Sequence, residues 1–554
     1  MSLEASALQK ARVAYQPKLP KALRQHNIRV KLGAPAYPAT QRQALKKAFP
    51  KTYGQRVAAI VAGGDGMHRR PLRAGVVLSG GPAPGGHNVI AGLFDALKAT
   101  HTDSKLFGFL KGPGGLIHGK LKELTSEAIA PFRNTGGFNL LMSGRDKIEK
   151  PEHLAACEKH LADLDLDGLV VIGGDDSNTN AAVLAEYLRA RGARTCVIGV
   201  PKTIDGDMKN REIETSFGFD TAAKTYSELI GNVCRDAQSS VKYWHFIRLM
   251  GRAASHITLE CALQTHPNVA LISEEIQARR MTLSQVVDGL VDVIVKRAKA
   301  GTHYGIVLVP EGLPEFVPEI KTLLGELSVI LGKDDFAGMK YVAGLRDHNE
   351  RVQYLNNLLT DHSARVYGQL PPDIQAVLQT LDKHGYPLLS QVETERLLID
   401  LVTDKIRLLR ERGHEDPKFS PLSHFLGYEG RCGAPSNFDA DYGYALGYTA
   451  AHLICAGLSS YTVYVGNLTQ SRDKWVAGGT PITAIMNIEM RKGKPTPVVR
   501  KALVDLNGGP FKTFARERDA WALNDAYVFP GPMQFFGPPE ICDAPTVTMM
   551  LERP

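Results

Sequence analysis

The chain has 554 residues, of which 44% are hydrophobic and 22% charged, so a globular fold with room for two or more domains is expected. Its seven cysteines are scattered without CxxC spacing, which argues against a disulfide framework or a zinc site and favours a reducing, cytoplasmic location. The formal net charge of +8 suits an enzyme that handles anionic metabolites, and no basic stripe with interleaved aromatic residues predicts nucleic-acid binding.

Neither a secretory signal nor a membrane span is predicted. The first 25 residues are amphipathic and charged, with Glu4 among them, rather than an apolar run before a cleavage site. The most apolar window, residues 450–468, is interrupted by Ser459, Ser460 and Asn467 and falls short of the ~20 apolar residues that a span needs. We therefore expect neither a membrane nor a nucleic acid as a partner.

The first strand, loop and helix pattern begins after an N-terminal extension. Residues 1–72 carry mixed helical and turn signals, and we interpret them as an extension that packs on the following domain. At Ala74 the pattern changes, because the β-branched run GVVL at 75–78 precedes the glycine-rich SGGPAPGGHN at 79–88. Apolar residues at helical spacing follow, so this order predicts a strand, a glycine loop and a helix.

Two further strand signals continue the same pattern. LVVI at 169–172 precedes GGDDSN and a helical pattern, and TCVIGV at 195–200 precedes PKTIDGD at 201–207. Short apolar runs that alternate with helices predict a mostly parallel sheet covered on both faces, in an α/β domain at 73–240. Ligands bind beyond the carboxyl ends of the strands in such sheets, so these loops should converge.

A second α/β domain is predicted at 241–313, where strand signals precede the motifs MGR and PEG. Helical signals dominate residues 314–425, which we interpret as a helical insertion, and residues 426–554 are expected to return to both α/β domains. The predicted fold class is α/β, with two doubly wound, mostly parallel-sheet domains, an N-terminal extension and a helical insertion.

Three glycine-rich loops are candidates for phosphate binding. GGLIHGKL at 114–121 matches GxxxxGK, but Leu121 replaces the Ser or Thr that would hold magnesium, so we interpret it as a structural turn. The loops at 79–86 and 173–180 have a strand before and a helix after, which together predict phosphate binding. Asp175 and Asp176 would repel a phosphate at the helix N-terminus, so a cation must lie between these carboxylates and the phosphate.

The loop PKTIDGD at 201–207 combines a lysine, a hydroxyl and two carboxylates. Phosphoryl transfer to an alcohol needs such a mixture, because a carboxylate accepts the hydroxyl proton and cations offset the charge on the transferred group. From this loop alone, an Asx-type turn with a surface lysine is an equally good interpretation.

Four motifs in order connect these loops to a known family. GGDDSNT at 173–179, PKTIDGD at 201–207, MGR at 250–252 and PEG at 310–312 resemble the phosphofructokinase family, and SGGPAPGGHN resembles its opening loop. The resemblance covers roughly residues 73–475. The doubled acid and the lysine resemble the branch that uses inorganic pyrophosphate instead of ATP, and the chain length resembles its long form.

The resemblance implies roles on the phosphate-donor side. Asp175 matches the carboxylate associated with Mg²⁺, which is the expected cofactor. Gly80, Arg145 and Lys202 are expected to bind the diphosphate, and Asp205 to take the proton from the sugar's 1-hydroxyl. The implied catalytic residues are Asp205, Lys202 and Asp176.

The resemblance also implies a sugar-phosphate side. The implied ligands are Thr203, Asp205, Lys242, Tyr243, Met250, Gly251, Arg252, Glu311, Tyr428 and Arg431. Tyr428 departs from the histidine of the ATP-using members but agrees with the pyrophosphate branch. Lys242 and Tyr243 lie where family members contribute contacts across a subunit boundary, which implies a homodimer or a higher homo-oligomer.

The implied activity is reversible, Mg²⁺-dependent phosphoryl transfer from pyrophosphate to the 1-hydroxyl of fructose 6-phosphate, giving fructose 1,6-bisphosphate in cytoplasmic glycolysis. An ATP-dependent 6-phosphofructokinase is one alternative, although Asp176 and Lys202 would intrude on the space of a nucleotide. A non-catalytic regulatory subunit of a hetero-oligomer is another. The presence of Asp175, Lys202, Asp205 and Arg252 together argues against it, because a regulatory chain needs no base.

Overall fold

A computed structural model describes residues 6–25, 27–63, 70–381, 385, 387–413, 417–491 and 494–533. Parts of two predicted segments lie outside the described residues. They are residues 1–5 and 64–69 of the N-terminal extension, and the C-terminal end from residue 534, which includes Cys542. The described residues form two compact units, and none of their helices is long and apolar enough to cross a membrane.

The strands, in chain order, are β1 (Ile28–Pro35), β2 (Arg56–Ala62), β3 (Arg73–Leu78), β4 (Lys105–Phe109), β5 (Leu121–Leu124), β6 (Gly168–Gly173), β7 (Cys196–Pro201), β8 (Tyr243–Leu249), β9 (Val269–Ala270), β10 (Tyr304–Pro310), β11 (Pro421–Leu426), β12 (Tyr461–Gly466), β13 (Val476–Pro481), β14 (Met486–Arg491) and β15 (Lys494–Val499).

The α-helices are α1 (Ala7–Val13), α2 (Arg42–Ala48), α3 (Gly86–Thr100), α4 (Pro113–Ile117), α5 (Ser126–Ile129), α6 (Pro151–Asp163), α7 (Asp175–Ala190), α8 (Phe219–Ser240), α9 (His256–Thr265), α10 (Ser273–Ala278), α11 (Leu283–Lys299), α12 (Leu313–Phe316), α13 (Pro318–Gly344), α14 (His348–Asn356), α15 (Asp361–Gln369), α16 (Pro372–Leu378), α17 (Thr394–Glu411), α18 (Tyr428–Cys432), α19 (Asn437–Cys455) and α20 (Gly509–Leu523). Short 3₁₀ turns lie at Lys21–Arg24, Ala130–Phe132, Leu389–Gln391, Arg472–Lys474 and Ile482–Ile485.

The first unit takes its described residues from Met1–Ala222, Tyr428–Ala502 and Pro532–Pro554. Its sheet has the order β1-β2-β13-β12-β7-β6-β3-β4-β5, with a parallel core from β12 to β4 and antiparallel strands at both edges. Every residue of β6 and β7 is buried, as expected for strands that helices cover on both faces. The carboxyl ends of β3, β6 and β7 therefore share one edge of the sheet.

The N-terminal segment is more than an extension that packs on this unit. β1 and β2 join the large sheet, because Ala58 and Ala59 of β2 pair with Gly479 and Gly478 of β13. Sequence patterns do not reveal this pairing, because the two strands are distant along the chain and the local sequence of one does not indicate which strand it pairs with.

The second unit comprises Ala223–Gly427 and Leu503–Gly531. Its sheet, β11-β8-β10-β9, is parallel throughout, and buried residues such as Trp244, Phe246 and Leu290 form its core with the helices that follow. The described structure thus confirms the α/β class. The boundary after Ala222 falls inside the first turn of α8 rather than at residue 240.

Helices α13 to α17 occupy most of the predicted insertion at 314–425, but its end is not helical. β11 pairs in parallel with β8, and it completes the sheet of the second unit. The short run PLSHFL forms a strand because β8 offers it a hydrogen-bonding edge, a tertiary effect that overrides weak local preference.

Candidate active site

Three glycine-rich or acidic loops of the first unit lie side by side at the carboxyl ends of β3, β6 and β7. The Ser177 hydroxyl donates to the Ser79 hydroxyl over 2.7 Å, and both residues are buried. The backbone N–H of Ser79 donates to the Ile172 carbonyl over 2.8 Å, and that of Lys202 to the Gly173 carbonyl over 3.1 Å. Adjacent parallel strands thus bring the loops together, as their order in sequence predicts.

The loop after β3 leaves room for cationic side chains. Gly80 has φ +83°, its N–H donates to the Gly144 carbonyl over 2.9 Å, and a Cβ there would lie 3.3 Å from Lys202 Nζ. A Cβ on Gly81 would collide with the guanidinium of Arg431. The two glycines therefore allow an ammonium and a guanidinium to approach the backbone, where an anion would bind.

Lys202 is the buried cation of the loop PKTIDGD, with 7% of its surface exposed. Burial lowers its pKa to about 8, Asp205 and Asp175 oppose this shift, and Arg431 and Arg145 reinforce it. Four predicted site residues are thus close enough to act on the Lys202 ammonium. The alternative of a surface lysine on an ordinary turn is wrong, because the side chain points into the unit.

The two adjacent aspartates begin helix α7. Asp175 and Asp176 lie in its first turn, where the helix dipole favours negative charge. The Asp175 carboxylate is 24% exposed, and its Oδ2 lies 3.5 Å from Nζ of Lys501. Asp176 is exposed, and its carbonyl accepts a hydrogen bond from the Asn180 side chain over 2.9 Å.

Asp205 is held by a local hydrogen-bonded turn. Its N–H donates to the Thr203 hydroxyl over 3.0 Å, and the Ser216 hydroxyl donates to the Thr203 carbonyl over 2.8 Å. Asp207, two residues further on, is buried with 6% of its surface exposed. Thr203 therefore orients the loop that carries Asp205, whereas the Asp207 side chain is buried.

Lys501 is a site residue that sequence reasoning missed. It follows β15, and the backbone on either side of it is attached to the site: Val499 N–H donates to the Thr179 hydroxyl over 2.9 Å, and Ala502 N–H to the Asp207 carbonyl over 2.6 Å. The available signal was a basic residue two positions after the end of a strand. That signal is weak, because such residues are usually solvated.

The residues fit a magnesium ion that binds together with its substrate. In the parts of the chain that are described, no group of three or more His, Cys, Asp or Glu side chains is arranged to hold a metal. Mg²⁺ commonly uses one or two carboxylates and completes its shell with phosphates and waters. Asp175 offers an accessible carboxylate that already has a cation, the ammonium of Lys501, beside it.

In the second unit, two predicted sugar-phosphate segments meet at the carboxyl edge of the sheet. Met250–Arg252 follows β8 and Glu311 follows β10, and the Gly251 N–H donates to Glu311 Oε2 over 3.2 Å. Arg252 is 56% exposed, and its Nε lies 3.6 Å from a carboxylate oxygen of Glu315. The segment thus presents an accessible guanidinium next to a positioned carboxylate.

Lys242 and Tyr243 lie at the opposite end of β8. The Lys242 ammonium stands 4.9 Å from the centre of the Tyr243 ring, and Tyr243 has φ +77°. A seven-residue strand is about 23 Å long, so this pair cannot join Met250–Arg252 within one chain. The assignment of the pair to the site of a neighbouring subunit stays a prediction.

Arg431 was predicted on the sugar-phosphate side, yet within the first unit it lies near Lys202, one of the residues predicted to bind the diphosphate. Its guanidinium packs against Gly81, and its charge acts on Lys202. It also stands 5.3 Å from the ring centre of Tyr428, which is 69% exposed. Arg431 is therefore placed to meet a phosphate oxygen near the glycine loop.

Comparisons with known proteins agree with the site's motifs. The family model described as "Phosphofructokinase" matches residues 73–359. The chain is 50% identical over 549 residues to pyrophosphate–fructose 6-phosphate 1-phosphotransferase of Porphyromonas gingivalis, covering 99% of both chains. It is also 50% identical over 561 residues to the protein of the same name from Treponema pallidum (strain Nichols), covering 99% of this chain and 97% of that one.

A solved structure supports the fold. The crystal structure of pyrophosphate-dependent phosphofructokinase from Nitrosospira multiformis aligns with a TM-score of 0.52 at 16% identity, covering 82% of this chain and 92% of that one. At this identity the likeness concerns the fold alone. Because the family model spans more than half of the chain and two relatives match it at 50% identity over nearly its whole length, the chain belongs to the phosphofructokinase family.

Proposed function

We propose that this protein transfers a phosphoryl group from inorganic pyrophosphate to the 1-hydroxyl of fructose 6-phosphate, in a reaction that runs in both directions and serves glycolysis. The observation that carries this proposal is the buried ammonium of Lys202, enclosed between the Gly80 loop and the charges of Asp205 and Asp175. Two relatives that match 99% of this chain at 50% identity are named for this activity.

Phosphoryl transfer requires mainly positioning and charge neutralisation. The Asp205 carboxylate accepts the proton of the 1-hydroxyl as the hydroxyl oxygen attacks the terminal phosphorus. Lys202 offsets the charge on the moving phosphoryl group and on the departing phosphate, and the guanidinium of Arg145 adds to this effect. Asp175 would hold Mg²⁺, which would supply further charge neutralisation of the donor.

The sugar phosphate is bound by residues of the second unit. Arg252, with its accessible guanidinium, meets the phosphate of fructose 6-phosphate, and the Glu311 carboxylate accepts hydrogen bonds from the sugar hydroxyls. Met250 and Gly251 shape this segment, and Gly251, with φ +127°, lets its N–H reach Glu311.

Asp176 decides which donor is used. Its exposed carboxylate lies on the first turn of α7 beside the metal-binding Asp175, where the ATP-using members of the family have a glycine. A side chain with negative charge at this position takes the space of a nucleotide and repels its α-phosphate, which pyrophosphate lacks. Lys202 contributes to the same choice, because it occupies volume that a glycine would leave open.

The test is to assay fructose 6-phosphate phosphorylation with pyrophosphate and, separately, with ATP. We expect wild-type activity with pyrophosphate and little with ATP, and we expect Asp176→Gly to shift the ratio of the two kcat/KM values toward ATP. Asp176→Asn is the matched control, since it removes the charge and keeps the volume. Wild-type activity with ATP and none with pyrophosphate would refute the proposal, and inactivity of the pure chain with both donors would favour a regulatory subunit.

The active protein is a cytoplasmic homodimer or a higher homo-oligomer. This part of the proposal is supported by Lys242 and Tyr243, which lie too far along β8 to reach the Met250–Arg252 segment of their own chain. Light scattering on the purified protein measures the mass, and a monomer with full activity would contradict this arrangement.

A further inference from the structure

Lys501 is a cation that has none of the roles in phosphoryl transfer given above. Its Nζ lies 3.5 Å from Asp175 Oδ2, and its side chain is 36% exposed. An ammonium that is partly accessible and adjacent to the metal-binding carboxylate lies where the substrate and its metal must arrive.

The position of Lys501 is fixed by the fold rather than by a loose terminal segment. Strands β14 and β15 form a hairpin, with Met486 paired with Val499. The Val499 N–H then donates to the Thr179 hydroxyl in α7, and the Ala502 N–H donates to the Asp207 carbonyl. The chain is therefore attached on both sides of Lys501 to the two segments that carry the acidic residues.

The charges around Lys501 confirm that it belongs to the acidic cluster. Asp175, Asp207, Asp176 and Asp205 all lie near enough to interact electrostatically with its ammonium. Asp175 and Asp205 also act on Lys202. Two ammonium groups thus share the same two carboxylates.

A metal ion at Asp175 changes the surroundings of Lys501. Mg²⁺ and the ammonium repel each other when both approach one carboxylate, whereas a diphosphate that arrives with the metal offers the ammonium new anionic oxygens. The lysine side chain has four rotatable methylene groups, so it can exchange one partner for the other without movement of the backbone.

We propose that Lys501 is a second donor-binding cation, which neutralises Asp175 before the metal–diphosphate complex arrives and pairs with a diphosphate oxygen afterwards. The substrate class that it recognises is an inorganic diphosphate carrying a divalent cation. This inference rests on the proposed function and deepens it, since it adds a residue that binds the donor.

Two binding measurements on the intact protein test the proposal in opposite directions. Free Mn²⁺, detected by electron paramagnetic resonance, competes with the Lys501 ammonium, so Lys501→Met should bind it several-fold more tightly than wild type. Mg²⁺–imidodiphosphate, measured by calorimetry, loses a charged contact, so its Kd should rise about tenfold. Lys501→Arg retains the charge and should stay near wild type in both assays.

Arg500→Met is the matched control, because it removes the same charge from the adjacent, exposed position and should change neither Kd. The KM for fructose 6-phosphate should stay unchanged in Lys501→Met. A change of both affinities in the same direction, no change in either, or equal effects of Arg500→Met would overturn the proposal. These measurements do not need turnover, so they remain decisive even if the wild-type protein proves inactive with pyrophosphate, a result that would instead refute the proposed function.

Discussion

Replacement of Lys202 by methionine should make the protein more stable and nearly inactive. The side chain is 7% exposed, and burial lowers its pKa from 10.5 to about 8 in spite of nearby carboxylates. A buried ammonium therefore destabilises the native state at neutral pH. Methionine has a similar length and no charge, so Lys202→Met removes the penalty together with the group that neutralises the transferred phosphoryl.

The size of the stability gain follows from the lowering of the Lys202 pKa. The lowering of the Lys202 pKa from 10.5 to about 8 corresponds to about 3 kcal/mol, which is the upper limit of the gain in the free energy of unfolding at pH 7. Because the folded pKa lies below the unfolded one, the penalty is complete below pH 8 and disappears as the pH rises toward 10.5. The difference between variant and wild type should therefore shrink to about 1 kcal/mol at pH 9.5, less than half of its value at pH 7.

Urea unfolding at pH 7 and pH 9.5 measures the stability, with Trp475, buried in the first unit, as a fluorescent reporter. We expect kcat with pyrophosphate to fall about 10²- to 10³-fold, as for the loss of one preorganised cation or donor. Lys202→Arg is the control that keeps the charge. A variant that is no more stable at pH 7, or one that keeps kcat within a few-fold of wild type, would refute the role given to the buried ammonium.

Two further predictions concern the loops around Lys202. Asp205→Asn should lower kcat about 10²- to 10⁴-fold, because the amide keeps the shape of the side chain but cannot accept the proton. The Kd of fructose 6-phosphate, measured by calorimetry, should stay near wild type. Unchanged turnover would show that Asp205 is not the base. Gly80→Ala should raise the KM for pyrophosphate and lower the free energy of unfolding by about 1–2 kcal/mol, because φ is +83° and the new methyl lies 3.3 Å from Lys202 Nζ. Gly192→Ala, at φ +71° in an open turn, is its stability control and should leave the KM unchanged.

Local patterns were sufficient to predict the loops that follow β3, β6 and β7. A strand, a glycine-rich or acidic turn and a helix recur within short windows, and parallel strands bring the turns to one edge of the sheet. For this reason the loops that carry Gly80, Asp175 and Asp205 were recognisable before their contacts were known. Their order, with MGR and PEG, also predicted the family, which the comparisons confirm.

The burial of Lys202, in contrast, could not be predicted from local patterns. The motif PKTIDGD is compatible with both a catalytic loop and a solvated turn, and only the packed structure decides between them. Desolvation depends on atoms contributed by the Gly80 loop and by Arg431, which are far from Lys202 along the chain. No window around the motif contains that information.

The sequence by itself determined the α/β class, the loops that follow β3, β6 and β7, and the pairing of a lysine with acidic residues in PKTIDGD, because these features are encoded by periodicity and motif within a few dozen residues. Only the tertiary structure decided that β2 pairs with β13, that β11 completes the smaller sheet, and that Lys501 stands beside Asp175. Each of these contacts joins segments separated by long stretches of chain, and such contacts form when distant surfaces pack together, which neither local propensity nor spacing specifies.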